Sequence, residues 1–174
     1  MSQRITINRA PVLTLWAAVV AERLGFDRAE ALTLGRAVAG LNAYAKGTSL
    51  GLLHPAPAKI RQQRKKARAR QTLQVALLGR AVPVARTPEG MRALSKDRPI
   101  SAPSVARYLE GKFGDALPAA RGAMATLARS RPRSELAVEA YPLYERFRPS
   151  IPAGVRGWGA KGVLDLAKIA ALAR

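Results

Sequence analysis

The stretch PVLTLWAAVVAERLGFDRAEALTLGRAVAGLNAYAKG, residues 11–47, decides the fold, because it reads as two helices joined by a very short turn. Its first half is largely apolar, with Pro11 suited to the first turn of a helix and Gly25 suited to its exit. Asp27 and Glu30 then have the spacing of a capping box, which predicts the start of a second helix.

Apolar residues recur at helical spacing in this second helix, and Gly47 is expected to end it. Residues 1–52 are therefore predicted to form an N-terminal helical hairpin. The spacing across its turn resembles the helix-turn-helix pattern of bacterial repressors over about twenty residues. The matching positions are Val20, Ala21, Leu24, Gly25, Phe26, Ala31 and Leu34. A recognition helix offers Arg, Gln, Asn or Ser to base edges, whereas this helix begins with two acidic groups among its first residues. We therefore interpret the pair as a packed helical hairpin without base readout.

Charge is the dominant property of the composition. Thirty Lys and Arg residues against eleven Asp and Glu residues give a formal charge of +19. Self-repulsion on this scale opposes compaction unless a polyanion lies nearby, and the candidates are DNA, RNA and an anionic membrane surface. The excess is greatest in residues 51–100, which hold twelve basic and two acidic residues.

The densest run is KIRQQRKKARAR, residues 59–70, in which seven of twelve residues are basic and none is acidic. As a helix it shows charge on every side and no apolar stripe beyond Ile60, so it cannot pack into a core along its length. Residues 53–70 are predicted to be a proline-containing loop followed by a basic arm or solvated helix that orders on a polyanion. The basic residues of the run are Lys59, Arg61, Arg64, Lys65, Lys66, Arg68 and Arg70.

Residues 71–174 are predicted to form a β-hairpin followed by a helical bundle. Apolar residues alternate in residues 73–84, with Gly79 first in the turn, Arg80 beside it at the tip, and Pro83 on a strand at an edge or paired on one side only. Helical patterns then begin at Thr87, Ser101, Asp115, Ser134 and Leu164. The predicted fold class is α+β, predominantly α-helical, with about seven helices and one β-hairpin, as one compact domain overall.

The glycine-rich stretch GVRGWGAKG, residues 154–162, contains G-x-G-x-x-G. Two prolines precede it and twelve residues follow it, so the βαβ unit of a dinucleotide site cannot be built, and Ala160 stands where a nucleoside-triphosphate loop requires Lys. Backbone N–H groups, Arg156, Lys161 and a following helix N-terminus suit a single phosphate, with Trp158 stacking on an exposed base. The alternative is a flexible loop whose tryptophan packs into the core.

Catalysis has little support in the sequence. There is no Cys, and the one His, His54, lies in a proline-flanked loop without partners nearby. The carboxylates lie mainly where helix capping or ion pairing explains them, so we expect no enzyme activity, no cofactor and no metal site. A smaller basic corner is formed by Arg129, Arg131 and Arg133.

The function predicted is nucleic-acid binding, of DNA in the first place, through the phosphate backbone and with little sequence specificity. The basic run supplies most of the affinity, assisted by Arg80, Arg156, Trp158 and Lys161.

The alternatives are RNA or ribosome binding, and an enzyme or binder of a small phosphorylated ligand that uses residues 154–162. The apolar first helix and the edge ribbon favour a homodimer. The N-terminal apolar pattern continues too far for a secretory signal, and no apolar run is long enough to span a bilayer. We therefore expect no membrane partner and a cytoplasmic location at the nucleoid.

Overall fold

In a computed structural model of the chain, the structure describes residues 3–49, 73–152, 154 and 160–174, with side chains up to residue 43 in the first range. The helices are α1 (Arg9–Arg23), α2 (Arg28–Ser49), α3 (Ala102–Phe113), α4 (Leu117–Arg129), α5 (Arg133–Phe147) and α6 (Leu166–Leu172), with a 3-10 turn at Gly114–Ala116. The strands are β1 (Arg4–Asn8), β2 (Leu73–Leu77), β3 (Arg80–Thr87), β4 (Gly90–Ser95), β5 (Arg98–Pro99) and β6 (Lys161–Asp165).

Two antiparallel sheets are present, and the prediction of one hairpin among about seven helices is therefore wrong. β1 pairs with β6, from Arg4 opposite Asp165 to Asn8 opposite Lys161. The other four strands form one sheet in the order β2-β3-β4-β5. The β1–β6 pair joins segments near the two ends of the described chain. Hydrophobic periodicity within either short segment does not predict a pairing with a strand so distant in sequence.

The β2–β3 hairpin was predicted, but its turn differs from the prediction. Leu77 lies opposite Arg80, so Leu78 and Gly79 are the two central residues and Gly79 is second in the turn. Both have positive φ, 49° and 75°, as a type I′ turn requires. β3 lies between β2 and β4 and pairs with both, so the prediction that the strand of Pro83 is at an edge or paired on one side only is wrong. Pro83 is tolerated there because it lies opposite Gln74 on β2 and just before Val84, where the β3–β4 register begins.

The segment predicted as a helix from Thr87 is instead a second hairpin turn followed by β4. The Thr87 hydroxyl donates to the carbonyl of Gly90 over 2.7 Å, and Gly90 has a φ of 120°, which ends any helical path. Strand formation buries Ala93, whose N–H donates to the hydroxyl of Thr33 on α2 over 3.0 Å. Only Leu94 and Ser95 of β4 pair with the two-residue strand β5. The bond to Thr33 therefore satisfies the backbone N–H of Ala93, which has no partner on β5.

α1 lies at the centre of the core. Eleven consecutive residues, 11–21, are buried, so this helix is covered on every side. The indole N–H of Trp16 donates to the carbonyl of Ala140 on α5 over 2.8 Å, and the ring meets Phe147 edge-on at 5.3 Å. The apolar surface that favoured a homodimer is thus consumed within the chain.

The turn between α1 and α2 follows the predicted capping box. The amide of Glu30 donates to the Asp27 carboxylate over 2.8 Å, and the amide of Asp27 donates to the Glu30 carboxylate over 3.0 Å. Residues 31–39 are buried except for Arg36, so this part of α2 presents no face that could enter a DNA groove. The interpretation as a packed hairpin is supported by this burial.

The later helices begin close to their predicted starts. Ser101 caps α3 through its hydroxyl, which accepts from the amide of Ser104 over 3.3 Å. α5 begins at Arg133 with Pro132 in the capping position, so Ser134 does not cap it. No helix in the described part of the chain combines the length and apolar character needed to cross a bilayer.

Gly35 allows the closest approach of α1 and α2. A Cβ added there would fall against the carbonyl oxygen of Thr14 and 3.0 Å from the amide nitrogen of Ala18. We expect Gly35→Ala to lower the free energy of unfolding by about 1–3 kcal/mol, because two backbones would have to separate. Gly40→Ala, on the same helix with nothing within 4 Å of the added Cβ, should raise it by about 0.5–1 kcal/mol. Urea unfolding measures both, and equal stability of the two variants would contradict the close contact.

Candidate nucleic-acid interface

Most of the predicted interface lies outside the described residues. The seven basic residues of the run at 59–70, together with Arg156 and Trp158, belong to that group. The structure places Arg80 and Lys161, which lie on different sheets. Arg80 is half-buried at the start of β3, and Lys161 is exposed at the start of β6.

Arg80 is held by a polar network that sequence reasoning missed. Its Nη2 donates to Oδ1 of Asn42 on α2 over 3.0 Å. The hydroxyl of Tyr141 on α5 donates to the same oxygen over 3.2 Å. One carboxamide oxygen therefore ties together the hairpin, α2 and α5, and it fixes the direction in which the guanidinium points.

A cleft of about 290 Å³ lies beside this network, between the β2–β3 turn and α5. We call it the hairpin cleft; its lining residues are Leu78, Gly79, Arg80, Val138, Tyr141 and Pro142. Val138 is 79 % exposed, although the buried stripe of α5 runs along its other side. In the sequence, the signal for this site is Val138, an apolar residue on the polar face of α5.

A contact path runs along α5 from the hairpin cleft to the start of α1. Tyr141 packs against Tyr144 at 5.8 Å, and the Tyr144 hydroxyl donates to the carbonyl of Arg9 over 3.4 Å. Nε of Arg9 in turn donates to the carbonyl of Pro149 over 3.0 Å. Burial lowers the pKa of Arg9, and the nearby charge of Arg148 lowers it further.

The glycine-rich stretch is followed by a strand and not by a helix. β6 occupies residues 161–165, and the N-terminus of α6 beyond it is capped by Asp165, whose carboxylate accepts from the amide of Ala167 over 2.9 Å. The predicted help of a helix N-terminus to a phosphate is therefore wrong. Gly162 serves packing, because a Cβ there would lie 2.5 Å from the carbonyl oxygen of Ser150.

The smaller basic corner is largely structural. Nη1 of Arg131 donates to the carbonyl of Leu172 near the end of α6 over 2.9 Å, and Nη2 of Arg23 donates to the carbonyl of Arg131 over 3.3 Å. Nε of Arg133 donates to the carbonyl of Arg23 at the end of α1 over 3.0 Å. Guanidinium groups at helix C-termini donate to unpaired carbonyls and interact favourably with the negative end of the helix dipole. These donors are therefore used within the fold. Arg129 remains exposed.

The remaining cations of the four-stranded sheet lie at both of its ends. Arg92 donates to the carbonyls of Met91 and Glu89, so it serves the β3–β4 turn. Lys96 and Arg98 are exposed at the β4–β5 turn, which an antiparallel meander places at the same end as Arg80. Within the described residues, no three His, Cys, Asp or Glu side chains lie together as metal ligands.

Comparisons of the chain with protein-family models, with curated proteins and with solved structures found no match.

Replacing Arg131 by Ala should lower the free energy of unfolding by about 1–3 kcal/mol, because carbonyl and ion-pair partners at the corner lose their donor. Arg129→Ala, two residues away and exposed, should change it by less than about 0.5 kcal/mol. Urea unfolding of the two variants provides the comparison. Equal effects would show that Arg131 is not structural.

Stability should also fall in alkaline solution through Tyr144. Burial raises the pKa of Tyr144 well above the ordinary tyrosine value of about 10, although the charges of Arg148 and Arg9 act in the opposite direction. The folded state therefore keeps the phenol proton that the unfolded chain loses, so the stabilisation is complete below pH about 10 and declines as the pH rises further. Tyr144→Phe should show a shallower decline in unfolding free energy between pH 10 and about 11.5. An identical pH profile in both proteins would contradict the burial of this hydroxyl.

Proposed function

We propose that this protein binds nucleic acid, DNA in the first place, through phosphate contacts made by residues 59–70. One observation carries the proposal: seven of these twelve residues are basic and none is acidic. A solvated helix face normally mixes both signs, whereas an unmixed run attracts a polyanion.

The position of the acidic residues supports this proposal. Between Glu30 and Glu89 the sequence holds eleven basic residues and no acidic one. Several carboxylates elsewhere have partners in the fold: Glu22 pairs with Arg28 at 3.4 Å, and Asp27 caps α2. No acidic residue therefore lies near the run in sequence.

Low sequence specificity follows from the chemistry of the contacts. Lys and Arg on phosphate oxygens fix position and supply affinity, but they read no base edges. Between residues 31 and 39, α2 leaves only Arg36 exposed, so this stretch offers no recognition surface. Seven phosphate contacts at about 0.9 each give a log-log salt slope near −6.

Four further residues are proposed to add contacts to the nucleic acid. Arg80 and Lys161 belong to the described part of the chain, and Arg156 and Trp158 belong to the glycine-rich stretch. Arg80 lies on the hairpin that begins three residues after the basic run ends. We extend the proposal to a location at the nucleoid and to a homodimer that doubles the contact area, for which the edge strand β2 is the remaining ground, since α1 is buried within the chain. RNA is the competing polyanion, because phosphate attraction alone does not distinguish the two.

The salt dependence of duplex DNA binding tests the proposal. Changing Lys65, Lys66, Arg68 and Arg70 together to Ala should make the log-log salt slope shallower by about 3 to 4, because four fewer phosphate contacts release counterions on binding. Fluorescence anisotropy with a labelled duplex between about 50 and 200 mM salt measures the slope.

The matched control removes the same charge from the described helical body, by changing the exposed residues Lys112, Arg129, Arg146 and Lys168 to Ala. This control should keep the slope within about one unit of the original. Equal slopes in the wild type and in the variant of the basic run would remove the run from the mechanism. Binding of RNA in strong preference to duplex DNA at the same salt would transfer the function to RNA.

A further inference from the structure

We propose that the hairpin cleft binds one nucleotide of single-stranded DNA, with its phosphate on Arg80 and its base against the ring of Tyr141. This inference rests on the proposed function and deepens it. It adds a contact to the base itself, which the phosphate contacts of the basic run do not provide.

The polar side of the cleft favours an anion. Tyr141 and Arg80 both donate to the single oxygen of Asn42, so the phenol proton and the carboxamide oxygen are already engaged. A guanidinium has five N–H donors and no acceptor, and the Asn42 bond uses one of them. What this side offers a ligand is a fixed fork of donors, which matches phosphate oxygens.

The apolar side favours a flat ring. The aromatic ring of Tyr141 lines the cleft together with Val138 and Pro142. Because Pro142 has no N–H, the carbonyl of Val138 lacks its usual helical donor. A volume of about 290 Å³ lies at the small end of ligand pockets, which suits one nucleotide unit.

The position of the cleft along the chain brings it within reach of a strand bound at the basic run. Arg70 is three residues from Leu73, and β2 then leads in five residues to the β2–β3 turn. At about 3.4 Å per residue, β2 spans about 17 Å, which corresponds to about five nucleotides along a DNA strand at 3.4 Å each. Chain connectivity alone therefore keeps Arg70 within about 28 Å of the β2–β3 turn, which corresponds to about eight nucleotides of a strand.

Single strands are favoured over duplexes because the base has to leave its stack to enter the cleft. Base–aromatic stacking contributes about 1–3 kcal/mol per base and tolerates any sequence. A base paired in a duplex has to be unstacked and unpaired before it can enter the cleft, at a cost of a few kcal/mol, whereas a base in a single strand does not have to be unpaired.

Val138→Ser tests the cleft without disturbing the core, because this residue is 79 % exposed. It should weaken binding of an oligo(dT) strand about threefold to tenfold, through lost apolar contact, and leave binding of a duplex of equal phosphate number unchanged. Val163→Ser is the matched control, since Val163 is also an exposed valine, 44 % exposed, on β6 outside the cleft. Arg80→Gln should weaken oligo(dT) binding and lower its salt slope by about one.

Each outcome decides between the cleft and the basic run. Wild-type affinity of Val138→Ser for oligo(dT), or an equal loss with oligo(dT) and duplex, would overturn the cleft while the salt slope of the basic run still stands. Loss confined to oligo(U) would overturn the assignment to DNA. Binding of an apolar peptide with a free C-terminal carboxylate that depends on Val138, with oligo(dT) unaffected, would reassign the cleft to peptide. Failure of both strand and duplex to bind with any salt dependence would instead reject the proposed function.

Discussion

The complete burial of α1 is the constraint on which the rest of the structure depends. A helix with eleven consecutive buried residues has no solvent face, so the surrounding elements must cover it all round. α2 reaches it closely at Gly35, and α5 is tied to it by the indole hydrogen bond from Trp16 to Ala140. Tyr141 follows Ala140 directly. The position of the hairpin cleft is therefore set from inside, by the packing of α1 against α5.

Arginine side chains have two roles in this chain, one within the fold and one at a surface cleft. In the helical body, Arg23, Arg131 and Arg133 donate to carbonyls near helix ends and so stabilise the fold. Arg80 is also held, by Asn42, but at the surface of a cleft. Counting charges does not distinguish these uses; the partners of each guanidinium do.

Local signals predicted the helices better than the sheets. The Asp27–Glu30 capping box marks the start of α2 because both of its bonds are made within four residues. Thr-Pro-Glu at residues 87–89 is typical both of a helix start and of a turn, and the choice is made by Gly90 and by the bond from Ala93 to Thr33 on a distant helix. β1 does alternate in its sequence, from Ile5 to Ile7, but its partner β6 is too short and too remote to be recognised.

The polar network of the hairpin cleft could not be predicted from the sequence for the same reason, although Val138 on the polar face of α5 was a signal for its apolar part. Asn42, Arg80 and Tyr141 come from three elements that the chain visits far apart, and no spacing rule connects them. Arg80 itself was identified, but as a charge at a hairpin tip. Only the tertiary fold gives it a fixed direction and an aromatic neighbour.

The distribution of charge explains how such a basic chain can fold. Nine of its thirty basic side chains, and none of its eleven acidic ones, lie in residues whose side chains are outside the described part. The described residues therefore hold every carboxylate of the chain, where capping bonds and ion pairs such as Arg4 with Asp165 offset the cations beside them. Self-repulsion is strongest where carboxylates are missing, between Glu30 and Glu89. The charges that the fold itself offsets and the charges assigned to a polyanion in the proposed function therefore belong to different parts of this sequence.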